Sequence, residues 1–198
     1  MCVGLNIIMR NKTGRKINRM TELLLQASPE KRLLWVKKIA RLCDYPHEKY
    51  VIYMLYIYGM RPAELMMLEK GHFDIQENNV RLFLPTVKGG DRRIIDLDID
   101  KTPFMKWLVK YINWTSLLLP SSWKDTTNIN GIFGKISRKN KKIRISPYVF
   151  RKYRLSYLAI EQDASAYDLQ VWKGAKDMRS VQPYIRMKPL TKFGDKIR

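Results

Sequence analysis

Two histidines and two cysteines are the chain's whole supply of the softer metal ligands. Cys2 and Cys43 are too few for a disulfide framework or a cysteine-rich zinc site. His47 and His72 lie too far apart in sequence to suggest a histidine-based centre. We expect neither a metal nor any other cofactor. Long apolar runs are missing as well: the longest, Tyr50 to Tyr58, has nine residues, about half of the ~20 that a spanning helix needs. The N-terminus lacks the apolar core and small-residue cleavage site of a signal peptide. These absences point away from membranes and export, to an intracellular protein. Acidic residues are also scarce, 18 against 38 Lys and Arg, which leaves a formal net charge of +20 and a pI near 10.0. An excess of that size favours a polyanionic partner and says little about fold.

What is present suffices for one core. The chain has 198 residues, 45% of them apolar, enough for a single domain with a small appendage. Residues 1–20 carry Arg10, Lys12, Arg15, Lys16 and Arg19 and no acid, and read as a basic arm or linker remnant. Ser28-Pro29-Glu30 is a helix start, with Ser28 as cap and Pro29 at the first helical position. That helix should run to about Cys43, turning Leu33, Val36, Ala40 and Cys43 to the core and Arg32, Lys37 and Arg41 away. Pro46 to Tyr58 is apolar nearly all round and belongs at the centre. Gly59 ends it, and Pro62 opens a shorter helix with Leu65 and Leu68 inward and Gly71 as its stop.

From Asn79 to Leu97 the period changes to two. Val80, Leu82 and Leu84 alternate before Lys88-Gly89-Gly90-Asp91, and Ile95 and Leu97 alternate after it, which signals an antiparallel hairpin. Helix is expected again from Thr102 to Trp114, then a polar stretch from Ser121 to Gly134, then interrupted helix from Pro147 through Tyr184. The fold class is α+β, mostly helical with one small antiparallel sheet. A core domain is expected at 21–190, between the basic arm and a basic tail at 191–198.

Lys135 to Arg154 contains nine Lys or Arg and no acid. A solvated face is the ordinary reading of such a run. Here Ile136, Ile143, Ile145, Tyr148, Phe150 and Tyr153 interleave with the charges, so one side can pack while the other meets phosphate. We therefore expect a nucleic acid as partner. Its contacts are assigned to Arg92, Arg93, Arg138, Lys139, Lys141, Lys142, Arg144, Lys152 and Lys173. Trp35, Trp107 and Trp172 read as packing residues.

Four short motifs then carry a resemblance. Gly59-Met60-Arg61-Pro62-Ala63-Glu64-Leu65 resembles the first arginine box of the tyrosine recombinases, the phage-type integrases and their relatives, archaeal and archaeal-virus integrases among them. Val87-Lys88-Gly89-Gly90-Asp91-Arg92-Arg93 is similar to that family's hairpin lysine and basic strand. Ser146-Pro147-Tyr148-Val149-Phe150-Arg151 resembles the second arginine box. Trp172-Lys173-Gly174-Ala175 with Gln182-Pro183-Tyr184 resembles the closing box and its tyrosine. Each is weak alone; four in order over about residues 21–190 are much less so.

The resemblance implies a catalytic set of Arg61, Lys88, Tyr148, Arg151 and Tyr184. Two arginines would clamp a DNA phosphate, Tyr184 would attack it to form a 3′-phosphotyrosine, and Lys88 would protonate the departing 5′ oxygen. It implies double-stranded DNA as partner, a nucleoid-associated place in the cytoplasm (of the host cell if viral), a tyrosine with a lowered pKa among cations, and self-association on DNA as a tetrameric synapse. Since Arg61 and Arg151 are a few phosphate contacts among many, we expect Arg61→Ala and Arg151→Ala to leave the fold intact. Residues 1–27 are too few for the family's DNA-clamping domain, so the chain resembles a catalytic domain, either part of a longer integrase or a minimal form. Two positions depart from the pattern. Tyr148 stands where histidine or lysine is usual, and Ala175 where histidine or tryptophan is usual, with Lys173 or Lys176 as candidates to compensate.

Bland readings stand beside these. Arg61 could simply pair with Glu64, Lys88 could be a turn residue with Arg92 and Arg93 close by, and Lys152 or Arg154 could be mistaken for Arg151. Tyr184 is one of 11 tyrosines. The rival functions are a catalytically weakened DNA-binding member of the same fold and a type IB topoisomerase. Under every DNA reading, log affinity for duplex should fall with log salt by ~0.9 per phosphate neutralised. Titrating binding from low to physiological ionic strength checks this, and a flat response would remove the DNA-backbone interpretation.

Overall fold

The computed structural model describes residues 19–85, 93–140 and 145–185. The candidates Lys88, Arg92, Lys141, Lys142 and Arg144, the arm before residue 19 and the tail after residue 185 lie outside these. Among the described residues the protein is mostly helical, with a small three-stranded antiparallel sheet. No helix among them is long and apolar enough to cross a membrane.

Local chemistry sets most boundaries. Helix α1 is Arg19–Gln26. Helix α2, Pro29–Arg41, opens with Pro29 at its start and the Ser28 side chain accepting from Lys31 N, satisfying one free donor of the first turn. Helix α3, Pro46–Tyr58, is the pillar of the core, with every residue from Tyr50 to Tyr58 buried. A helix apolar on all sides is stable only when neighbours cover all of it. They are α2, α5 (Met105–Trp114), α6 (Thr127–Lys139) and α7 (Pro147–Ile160). Gly59 terminates α3 in the left-handed conformation, φ 59°, and leads into α4, Pro62–Met66. Leu65 and Leu68 are buried.

Strands β1 (Phe73–Ile75), β2 (Asn79–Leu84) and β3 (Arg93–Asp98) form the sheet in that order. Leu82 pairs with Ile95 and Leu84 with Arg93. Val80, Leu82, Leu84 and Ile95 face the core, while Phe83 and Ile94, also paired, are exposed. After α7 come α8 (Ala166–Lys173) and the four-residue α9 (Gln182–Ile185). A second, smaller cluster of Leu155, Leu158, Ala159, Leu169 and Val181 holds these two against α7.

Several expectations are corrected. The region around residue 20 is helical and packs on α7; the helical spacing of Met20 and Leu24 was hidden in a basic stretch, and Leu24 is buried. The stretch read as polar from Ser121 to Gly134 contains α6, whose Ile129, Ile132, Phe133 and Ile136 make a buried stripe at helical spacing. A third strand, β1, joins the hairpin. Helix α4 stops at Met66 rather than at Gly71. Arg32, expected to face away from the core, is 6% exposed because its guanidinium pairs with Glu161 at 2.6 Å and lies over the rings of Tyr153 and Tyr157.

Gly59 is the junction between the central helix and α4, and it has no room for a side chain. Its φ is positive, and a Cβ there would stand 2.7 Å from Arg154 Cβ. Gly59→Ala is expected to cost ~1–3 kcal/mol of stability from backbone strain and overlap. Gly71→Ala, where a Cβ meets nothing within 4 Å, should stay within ~0.5 kcal/mol. Urea unfolding of both variants checks the difference, and equal stabilities would contradict this account of the turn.

Candidate active site

A carboxylate that water does not reach organises the site. Glu64, in α4, is 0% exposed. Its Oε2 accepts from the Arg61 backbone N at 2.7 Å, and its Oε1 accepts from Arg61 Nη1 at 2.6 Å. Arg93 Nη2, reaching from β3, lies 2.8 Å from the same Oε1, and Arg151 Nη1 from α7 lies 3.8 Å from Oε2. Burial by itself would raise the Glu64 pKa. The charge of Arg93, the Arg61 N–H and the charge of Arg151 outweigh it and hold the group below its ordinary value. One carboxylate beneath three guanidiniums leaves the cluster cationic, so its open side is suited to an anion.

The arginines differ in what holds them. Arg151 is 6% exposed. Its Nη1 donates to Gly59 O at 2.9 Å and its Nη2 to Lys173 O at 2.7 Å. Burial, then the neighbouring charge of Arg61, brings its pKa down to about 10, which leaves it charged at neutral pH. Arg61 is the accessible one, with a third of its side chain open. Arg93 donates to the Trp172 carbonyl, and Trp172 Nε1 in turn donates to Tyr58 O at 2.8 Å. Gly174 ends α8 with φ 60°, and a Cβ there would meet Arg93 Nε at 2.9 Å. The strand, the α3 terminus and the α8 terminus thus close around Glu64 from three directions.

Lys173 and Tyr184 complete the open side. The Lys173 ammonium donates to Ser180 O and lies 5.5 Å from the centroid of the Tyr184 ring. Burial first, then Arg151 and Arg61, brings the lysine pKa down to about 8. Tyr184 corrects an expectation: its pKa is raised, because the desolvation of a half-buried phenol outweighs the charge of Arg151.

The four motifs therefore meet as far as they are described. Arg61, Arg151 and Tyr184 come together through Glu64 and Lys173. Tyr148 sits one turn before Arg151 but is 58% exposed. Ala175 lies just past the α8 cap with its N–H on Gln170 O. Lys173, not Lys176, is the lysine at Tyr184; Lys176 is exposed.

The expected DNA contacts divide. Arg138 and Lys152 are exposed. Lys139 is exposed as well, with its ammonium bonded to Asp44 and to Leu42 O. Lys173 is turned to Ser180 and Tyr184 rather than outward. Arg93 is a correction, since at 2% exposure it cannot face a duplex. The alternation that turns Ile95 and Leu97 inward turns Arg93 inward as well, so the signal was present. Glu64, read only as a possible partner of Arg61, is that partner and the hub of the site too. Arg151 also ties α3 to α8 through Gly59 O and Lys173 O, so Arg151→Ala should weaken the fold as well as the site.

The phage integrase family model matches residues 25–190 of this chain. Among solved structures, the XerH site-specific recombinase bound to difH substrate, a pre-cleavage complex, superposes with a TM-score of 0.61 at 12% identity. The match covers 95% of this chain and 58% of that one. The XerA recombinase gives 0.61 at 18% identity, covering 87% and 65%. The Tn1549 transposon integrase in complex with transposon right end DNA gives 0.58 at 14% identity, covering 86% and 64%. The chain thus spans 58% to 65% of the length of these structures. Comparison with curated protein sequences gives no match.

Glu64→Gln should uncover what the carboxylate does. It keeps the shape and leaves Arg93 and Arg151 buried without a counter-charge, at a cost of ~3–5 kcal/mol. Because the folded-state pKa is lowered, the carboxylate's contribution is complete above its unfolded value near 4.5 and is lost as pH falls through the lower folded value. Urea unfolding from neutral to acid pH should show that loss in the wild type and its absence in the variant. A variant as stable as wild type at neutral pH, with the same acid limb, would refute the assignment.

Proposed function

Because the chain belongs to the phage integrase family, we propose that it is a DNA strand transferase that cleaves and rejoins duplex DNA through a phosphotyrosine. The observation that carries the reading is a continuous run of contacts from Arg61 through Glu64, Arg151 and Lys173 to Tyr184. Those residues come from four separate parts of the sequence. An ordinary surface ion pair of Arg61 with Glu64 would need none of the others.

Each group then has a task. Arg61 binds the non-bridging oxygens of the scissile phosphate, whose negative charge grows as phosphorus becomes five-coordinate, and Arg151 adds its charge from the floor beneath. The cationic balance around Glu64 is prepared before substrate arrives, so little reorganisation is needed as that charge develops. Tyr184 Oη attacks phosphorus to give a 3′-phosphotyrosine, and Lys88 protonates the departing 5′ oxygen. A 5′-hydroxyl from another strand reverses the step. The bond energy stays in the phosphotyrosine link, so no nucleotide is consumed. Exposed Arg138 and Lys152, with Arg92, Lys141, Lys142 and Arg144, hold the flanking backbone. Two of the similar structures are DNA complexes, which supports duplex DNA as substrate. Self-association on DNA, as a tetrameric synapse, would supply the exchanging strands, and an integrase of this kind would join a mobile or viral genome to a chromosome. Residues 21–190 form the catalytic domain in this reading, and the basic segments at 1–20 and 191–198 serve DNA or a neighbouring subunit.

A duplex with a nick near the cleavage point tests it, because the released fragment diffuses away and traps the covalent complex. Wild type should give a DNA-shifted band after denaturation, and Tyr184→Phe should bind DNA equally but give none. Arg61→Ala should slow trapping by ~10²–10³-fold; it is the cleaner arginine test because Arg61 is the more exposed. Trapping by Tyr184→Phe would disprove the nucleophile assignment. A wild type that binds but never traps would leave a weakened DNA-binding protein, the outcome that Tyr148 and Ala175 favour. Trapping followed by relaxation without joining of a new strand would indicate a topoisomerase.

A further inference from the structure

The strand transfer leaves one proton without an acceptor. As Tyr184 Oη bonds to phosphorus, its hydroxyl proton must go elsewhere, and the departing 5′ oxygen needs a different one. Burial keeps that proton on the tyrosine, so spontaneous ionisation is no help. Among the described residues, the carboxylate and the imidazoles considered first are engaged elsewhere. Glu64 is locked under its arginines, where its lowered pKa makes it a weak base. His47 is packed between Tyr45 and Trp123, and His72 Nδ1 accepts from Glu69 N. Tyr148 is exposed, and Ala175 offers only a methyl.

Lys173 is placed differently. It is the last residue of α8, fixed there by its own carbonyl, which accepts from Arg151 Nη2 at 2.7 Å. Its side chain runs to the Tyr184 ring and ends on Ser180 O. At 5.5 Å from the ring centroid, its nitrogen is the ammonium that lies over the Tyr184 ring. The charged and titratable groups around it are Arg151 from α7, Arg61 at the start of α4 with Glu64 within it, Arg93 from β3 beneath Gly174, and the neutral Tyr184 from α9. Asp177 and Arg179 border it on the turn before α9. Burial first, then the positive charges of Arg151 and Arg61, brings the lysine to about 8. An appreciable share is then a neutral amine at physiological pH, able to accept a proton.

We propose that Lys173 is the general base of the cleavage step and the general acid of the joining step. The inference rests on Tyr184 being the nucleophile. In cleavage the Tyr184 O–H bond breaks and its proton passes to the neutral Lys173 amine. The Oη–P bond forms, the P–O5′ bond breaks, and the 5′ oxygen takes its proton from Lys88. In joining, the incoming 5′-hydroxyl loses its proton to Lys88, the Oη–P bond breaks, and the Lys173 ammonium returns a proton to the phenolate. Protons and electron pairs balance over the cycle, and both lysines finish as they began.

The test is the rate of trapping on nicked duplex between about pH 6 and pH 10 for wild type, Lys173→Met and Lys173→Arg. Wild type should speed up as pH rises through about 8. Lys173→Met, which keeps the apolar stem and the backbone carbonyl, should trap on the order of 100-fold more slowly and lose that limb. Lys173→Arg should stay slow, since a guanidinium remains protonated. Trapping by Lys173→Met within about threefold of wild type overturns the inference while leaving the function intact. Restoration by Lys173→Arg overturns it as well, because it would make the residue a fixed phosphate clamp. Carbon NMR of isotopically methylated lysines, on the wild type without DNA, supplies a second readout. One resonance, absent from Lys173→Arg, should titrate near 8, and its absence from wild type would overturn the inference even if Lys173→Met failed to fold. A wild type that traps nothing defeats the proposed function itself and this inference with it.

Discussion

Much of this molecule can be understood from the problem of keeping one carboxylate charged where water cannot reach it. A bare carboxylate at the position of Glu64 would cost several kcal/mol in lost hydration. The chain offsets that cost with a backbone N–H and three guanidiniums drawn from α4, β3 and α7. Each guanidinium is itself poorly hydrated and needs acceptors. Arg151 finds them at the ends of α3 and α8, and Arg93 at the Trp172 carbonyl. Helix termini leave carbonyls unsatisfied, and here the arginines use them. The anion, the cations and the helix ends solve one another's desolvation.

That arrangement explains why the glycines at 59 and 174 stand where they do. Both have positive φ, and in both a Cβ would press on an arginine, Arg154 in one case and Arg93 in the other. The close approach brings carbonyls within reach of guanidiniums. It also gives the site a rigid floor and a softer rim. Arg93 and Arg151 are fixed in the floor. Arg61, Lys173 and Tyr184 form the rim, where groups are partly open and able to move toward a ligand.

How much of this could be read from the sequence depends on whether the signal was local. The cap at Ser28, the all-apolar α3, the turn at Gly59 and the alternation in β2 and β3 are local, and they appear as read. The order of the motifs was also enough to bring Arg61, Arg151 and Tyr184 to one place. What was missed is governed by tertiary burial. The periodicity of α2 puts Arg32 on its charged side, yet Glu161, 129 residues on, and two tyrosine rings cover it. Arg93 obeyed the strand period but was judged by its charge. Helix α6 was hidden by Thr126, Thr127, Asn128 and Asn130, polar residues at its start. The direction of the Tyr184 shift depended on how deeply the ring is buried, and no count of neighbouring cations could supply that.

The small cluster behind α8 and α9 has a consequence for motion. Val181 and Leu169 are fully buried in it, but among the described residues it holds five buried side chains and meets the main core through Tyr157 and Trp172. A unit with so little apolar surface opens at a fraction of the global unfolding free energy. The segment bearing Tyr184 can therefore detach as a cooperative piece while α3, α7 and the sheet stay intact. Amide exchange should divide the molecule along that seam, fast beyond α8 and slow before it. Hence the tyrosine's position is an equilibrium that a bound partner can bias, whereas the arginine floor is a permanent fixture.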